Sequence, residues 1–132
     1  MNQEIQFISL DDALHFHEEE IRRAGGTPEL RDMRGLEAAI AAPQASFSGQ
    51  YLMDTFGMAA TYVQSICSNH PFLDGNKRTA AACALVFLYL NGYELNENYD
   101  EELADKVLAL VTRKISKDDL AEYFKQNTSD VE

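Results

Sequence analysis

The stretch His70 Pro71 Phe72 Leu73 Asp74 Gly75 Asn76 Lys77 Arg78 runs directly into the apolar segment Thr79 to Leu90. A polar loop feeding a buried helix is the simplest reading. Proline disfavours the helical conformation for the residue before it, so an upstream helix should end at His70. Asn76 has the chemistry of an N-cap, which puts Lys77 and Arg78 in the first helical turn. Cations there oppose the helix dipole, so the arrangement is locally unfavourable unless an anion lies between them. Free backbone N–H groups at a helix start, a glycine that permits close approach and two cationic side chains together describe a phosphate cradle. Taken singly, each residue has an ordinary surface explanation. The cluster of His, Asp, Asn, Lys and Arg against an apolar helix has no packing role, because charged residues are seldom buried without partners. The segment is not a Walker loop, since Gly75 is not followed by Lys and the earlier glycine is missing.

Outward from this stretch, the chain reads as one all-α domain over residues 1–132. With 132 residues it is long enough for one core. The formal charge is −11, from 22 acidic and 11 basic residues, which argues against broad binding to nucleic acid or an anionic membrane. Any phosphate site must therefore be local. The first eight residues carry no basic-then-apolar signal pattern, and the run Ala80 to Leu90 is too short to span a bilayer. Cys67 and Cys83 lie apart in apolar contexts without a ligand pattern, and read as reduced core residues of a cytoplasmic protein.

Glu4 to Ile8 suggests a short extended piece. Ser9, with Asp12 three residues on, caps a first helix that Gly25 and Gly26 end, with Ala13, Leu14, His17 and Ile21 near helical spacing. His15 and His17 are two apart and make a poor metal pair. Thr27 to Asp32 is a loop in which Arg31 and Asp32 either pair with each other or buttress the site. Met33 to Ala42 is a helix stopped by Pro43, and Pro43 to Met53 suits a loop or small hairpin. Asp54 caps a helix reaching about Asn69. The central helix, Lys77 to Asn91, is apolar nearly all round, as expected if other helices surround it, and Gly92 ends it. Tyr93 to Tyr99 connects to an amphipathic helix over Asp100 to Thr112, with Leu103, Val107, Leu108 and Val111 inward. Ser116 and Asp119 cap a last helix docked by Leu120, Tyr123 and Phe124, and residues 127–132 form a frayed tail.

The motif His70 to Arg78 resembles the signature of the Fic/Doc superfamily, HPFx(D/E)GN(G/K)R, and matches it throughout. Lys77 resembles the Doc, "death on curing", branch. The AMP-transferring Fic branch usually has Gly there and a second Arg where this chain has Ala81. Gly25 Gly26, Arg31 Asp32, Leu36 Glu37, Ala39, Pro43 Gln44 and Asn91 Gly92 Tyr93 are similar to the Doc pattern, so the resemblance runs from about residue 9 to about residue 125. It implies a compact helical bundle with a flap hairpin, here Ser46, Phe47, Ser48, Gly49 and Gln50, against which an extended target segment docks by backbone pairing.

On this reading ATP lies at the start of the central helix. Its phosphates are held near Gly75 and Asn76 and by Lys77 and Arg78, with Phe72 as the loop's support. Asp74 holds Mg²⁺ together with phosphate oxygens. His70 takes the proton from an attacking hydroxyl. The resemblance implies γ-phosphoryl transfer to a Ser, Thr or Tyr hydroxyl, on translation elongation factor Tu, with translation arrested. It also implies restraint by a separate antitoxin. The inhibitory pattern (S/T)xxxE(G/N) of some Fic proteins is incomplete here, at Thr128 to Glu132. AMP transfer is the alternative activity, and a non-catalytic nucleotide- or partner-binding module the alternative of another class.

Overall fold

The computed structural model describes residues 4–96 and 100–131. Six helices dominate: α1 (Leu10–Ala24), α2 (Met33–Ala41), α3 (Thr55–Asn69), α4 (Asn76–Leu90), α5 (Asp100–Val111) and α6 (Lys117–Asn127). Two small antiparallel ribbons accompany them, β1 (Ser46–Phe47) with β2 (Gln50–Tyr51) and β3 (Tyr93–Leu95) with β4 (Thr128–Asp130). The all-α architecture and the small hairpin both agree with the sequence reading.

Helix starts follow their local chemistry. Ser9 and Asp12 form a reciprocal capping box on α1, and Ser116 and Asp119 form another on α6. Asp32 caps α2 by accepting the Gly35 N–H at 2.9 Å, and Asp54 caps α3 by accepting the Gly57 N–H at 2.8 Å. After α2, Pro43 sits in a single 3₁₀ turn, Ala42–Gln44, that leads into the hairpin.

The centre of the molecule is the pair α3 and α4, flanked by the remaining helices. Met58 to Val63 and Ile66 of α3 are all buried, so burial runs right round the middle of that helix. Burial along α4 is one-sided rather than all round: Asn76, Thr79, Ala80, Cys83, Ala84, Phe87 and Leu88 recur at helical spacing and face the core. Tyr89 and Leu90 are exposed. Ala81, Ala82 and Leu85 are half-buried and line an open groove of about 660 Å³ against Leu103 and Leu108 of α5, with Lys77 and Arg78 also on its wall. The apolar side chains on this α4 surface therefore floor a groove that α5 walls on one side.

Two expectations are corrected and a third, an extended piece at Glu4 to Ile8, is refined. On α5 the inward set is Leu103, Val107 and Leu110, while Leu108 and Val111 are exposed. The helix is apolar on more than one side, so periodicity alone could not choose the stripe. The tail is not frayed over Thr128–Asp130, which pairs with Leu95, Glu94 and Tyr93 as strand β4, and Val131 N–H extends the pairing to the Gly92 carbonyl at 2.9 Å. The connecting segment after α4 accordingly begins as strand β3, and its end, residues 97–99, lies outside the described residues, as does the last position of the incomplete inhibitory pattern. Glu4 to Ile8 forms no strand. Instead the Asn91 side-chain amide holds it as a strand neighbour would, accepting from Gln6 N–H and donating to Gln6 C=O, both at 2.9 Å.

Candidate active site

The loop between α3 and α4 is fixed from several directions. Helix α3 ends at His70, which takes the left-handed conformation, φ 46° and ψ 56°. Pro71 bars the right-handed helical state, and a left-handed non-glycine residue costs of order 1–3 kcal/mol unless its surroundings hold it. They do. Arg31 Nε donates to the His70 carbonyl at 2.8 Å and its Nη2 to the Asn69 carbonyl at 3.1 Å. The N–H groups of Arg31 and Asp32 both donate to the Pro71 carbonyl, at 2.7 and 2.9 Å, and Leu73 N–H donates to the Glu29 carbonyl at 3.1 Å. Leu30 bridges Phe72 in antiparallel fashion. Of the two readings of Arg31 and Asp32, the structure supports the buttress, since Arg31 caps the end of α3 while Asp32 caps the start of α2.

Beneath the loop, Phe72 is buried and stacks face to face on His17 of α1, ring centroids 3.6 Å apart and planes 5° from parallel. The His17 Nε2 lies 2.8 Å from the Asp74 carbonyl oxygen. Asp74 Oδ2 accepts the N–H of Thr27 at 2.9 Å. Gly26 makes that approach possible, because a Cβ on it would stand 3.1 Å from the Asp74 Cβ. Asn76 is a further correction. Gly75, at φ 81°, occupies the cap position, and Asn76 is the first residue of α4 with its side chain buried. Its amide closes a reciprocal pair with Phe72, accepting from the N–H at 3.0 Å and donating to the C=O at 2.8 Å. The Asn76 side chain thus braces the loop from inside, and only its backbone N–H remains for a ligand.

At the mouth of α4 the first-turn N–H groups have no acceptor within the helix, as at any helix start. Lys77 is exposed, and among the described residues its ammonium makes no hydrogen bond or ion pair. Arg78 leans the other way, its guanidinium 3.5 Å from the Glu20 carbonyl and 3.3 Å from the Gly25 carbonyl at the end of α1, where the helix dipole favours a cation. The His70 imidazole is exposed and likewise makes no contact of that kind among the described residues. One short loop therefore presents a bare imidazole, a carboxylate with one oxygen uncommitted, a glycine N–H and an unpaired ammonium.

The hairpin differs. Phe47 and Gln50 flank a two-residue turn, Ser48–Gly49, both with positive φ as a type I′ turn requires. Ser46, Phe47, Ser48, Gly49 and Gln50 are all exposed. Its root is held by Leu52 N–H on the Ala45 carbonyl at 2.9 Å and by Tyr51 edge-on to Phe7, which in turn stacks on Phe87. Phe87 lies eleven residues along α4 from Asn76, roughly 16 Å by helical rise, so the hairpin is anchored to the far half of that helix.

Burial pushes the thiol of Cys67 up to about 11 and that of Cys83 up to about 12. Both stay protonated at neutral pH and are weak nucleophiles and ligands. Cys83 is core, whereas Cys67 is only half-buried. No helix among the described residues is long and apolar enough to cross a membrane.

Residues 7–88 match the Fic/DOC family, and the chain belongs to it. It is 34% identical over 122 residues to "Protein kinase doc" of Escherichia phage P1, covering 92% of this chain and 95% of that protein. It is 38% identical over 102 residues to "Toxin Doc" of Mycolicibacterium smegmatis, covering 74% of this chain and 76% of the relative. Of the site residues, sequence reasoning missed His17 as part of the loop's support. The signal was present, since a histidine stood in the apolar spacing of α1 where a hydrocarbon would serve the core equally well.

Proposed function

We propose that the protein is a Doc-type toxin that transfers the γ-phosphate of ATP to a hydroxyl on a target protein. What carries the reading is the exposed His70 imidazole at one end of a rigidly held loop whose other end is a helix start with an unpaired Lys77. The triphosphate is gripped by the N–H groups of Gly75 and Asn76 and by Lys77, with Arg78 swinging from the α1 carbonyls when an anion arrives. His70 accepts the proton of the target hydroxyl as its oxygen bonds to the γ-phosphorus, and the bond to ADP breaks. The protein's contribution is mainly position, which is why the loop is so heavily braced.

Magnesium fits this donor set in a limited way. Among the described residues no three His, Cys, Asp or Glu side chains converge into a protein-only cage. Asp74 keeps one carboxylate oxygen beyond the Thr27 bond, and Mg²⁺ is commonly held by one or two carboxylates plus substrate phosphates and water. When bound it would neutralise charge on the phosphates. The departure from AMP transfer rests on Lys77 and on Ala81 in place of a second arginine.

The names of the two relatives, a kinase and a toxin, support restraint by a separate antitoxin. An amphipathic segment folding on binding has an apolar seat in the groove between α4 and α5, at whose rim Lys77 and Arg78 lie. By resemblance the target is elongation factor Tu, and arrested translation the outcome. Incubating the protein and a bacterial lysate with ATP labelled at either the α or the γ position tests the activity. Retention of the γ label alone on a protein supports phosphoryl transfer. Retention of the α label establishes AMP transfer instead, and nucleotide binding without retention of either label would point to a binding module.

A further inference from the structure

His17 belongs to none of the motifs quoted above, yet it is only 3% exposed, and among the described residues its one polar contact is with the backbone of the motif loop, 57 residues away. A buried histidine usually satisfies itself within its own core. This one reaches out of α1 to the carbonyl of Asp74 at 2.8 Å while its ring lies flat on Phe72. A carbonyl oxygen only accepts, so Nε2 must carry the proton.

The consequence follows from peptide geometry. The Asp74–Gly75 peptide is planar and trans, as no cis bond occurs among the described residues, so its C=O and N–H point to opposite sides. Holding the Asp74 carbonyl down against α1 turns the Gly75 N–H up and away from it. That N–H has no protein acceptor among the described residues. Without a donor beneath it, this peptide is free to rotate as a unit, because Gly75 tolerates many backbone conformations. The same bond also fixes the backbone of Asp74, whose carboxylate accepts the Thr27 N–H through one oxygen and keeps the other uncommitted.

We infer that His17 is a positioning residue that sets the Asp74–Gly75 peptide so that the Gly75 N–H and the Asp74 carboxylate face an incoming polyphosphate. This rests on the reading of the loop as a phosphate cradle, and the test separates the two. Two-bond ¹H–¹⁵N spectra of the unaltered protein give the tautomer directly. Nε2–H is expected, and Nδ1–H would overturn the inference whatever any variant does. The amide spectrum is then followed during titration with inorganic pyrophosphate. In the unaltered protein the Gly75 amide should move, among the largest shifts of all. His17→Phe keeps the stacked ring and removes the donor, so it should abolish the selective Gly75 response and weaken pyrophosphate binding about tenfold. His17→Gln, whose amide nitrogen can stand where Nε2 stood, should restore much of both. If His17→Phe responds as the unaltered protein does, the inference fails while the cradle stands. If the unaltered protein shows no response over residues 74–78, the cradle itself fails. Should His17→Phe not fold, the tautomer and the His17→Gln titration decide.

Discussion

The loop at residues 70–78 and the hairpin at residues 46–51 are both short and both reach the surface, but the molecule treats them differently. The loop is tied by His17 from α1 and by Thr27, Glu29, Arg31 and Asp32 from the segment before α2, and braced from within by Asn76. The hairpin is held at its root by one backbone bond beyond its own ladder and one aromatic edge, and Phe47 at its tip is 76% exposed. Chemistry on a phosphate needs atoms placed to within a fraction of an ångström, which requires a braced support. Docking an extended peptide by backbone pairing needs an open edge and tolerates adjustment. The division lets one segment keep fixed geometry while the other accommodates a partner.

Four substitutions test this division, beginning with the largest effect. His70→Ala should lower transfer about 10²- to 10⁴-fold with stability unchanged to within about 0.5 kcal/mol, since its imidazole braces nothing. Retained activity in a labelling assay would remove His70 as base. Arg31→Ala releases the carbonyls of Asn69 and His70, and the resulting misplacement of His70 should cost up to about 10²-fold in kcat, with Arg31→Lys recovering part. A variant with normal kcat would mean that α3 holds His70 unaided. Asn76→Ala leaves the Phe72 N–H and C=O buried without partners, and should destabilise by about 1–3 kcal/mol in a denaturant titration. Phe47→Ala should leave both stability and ATP affinity unchanged while raising KM for the protein target severalfold. An equal rise in KM for ATP would erase the contrast between loop and hairpin.

How far the sequence could be read depends on how far its signals reach. Ser9 with Asp12, Asp54, and Ser116 with Asp119 announce their helices because a cap acts within one turn. The motif residues and their chemistry were equally local. Asn76 misled for the opposite reason: its type suits a cap, but Gly75 takes that position through positive φ and the amide turns to Phe72 instead. On α5, Leu108 and Leu110 are alike in composition and differ only in which neighbour they meet. Strand β4 and the contact of His17 with Asp74 join residues more than thirty positions apart, and no local pattern encodes such pairings. What was legible was the site's chemical inventory and part of its support, Arg31, Asp32 and Phe72; the bracing by His17 and by the Asn76 side chain was not.

The most direct test is a crystal structure of the protein with magnesium and a non-hydrolysable ATP analogue. The account predicts a triphosphate at the start of α4, within hydrogen-bond distance of the Gly75 N–H and Lys77, with its γ-phosphorus facing the His70 imidazole. A nucleotide seated elsewhere, or one turned so that the α-phosphorus faces His70, would contradict it.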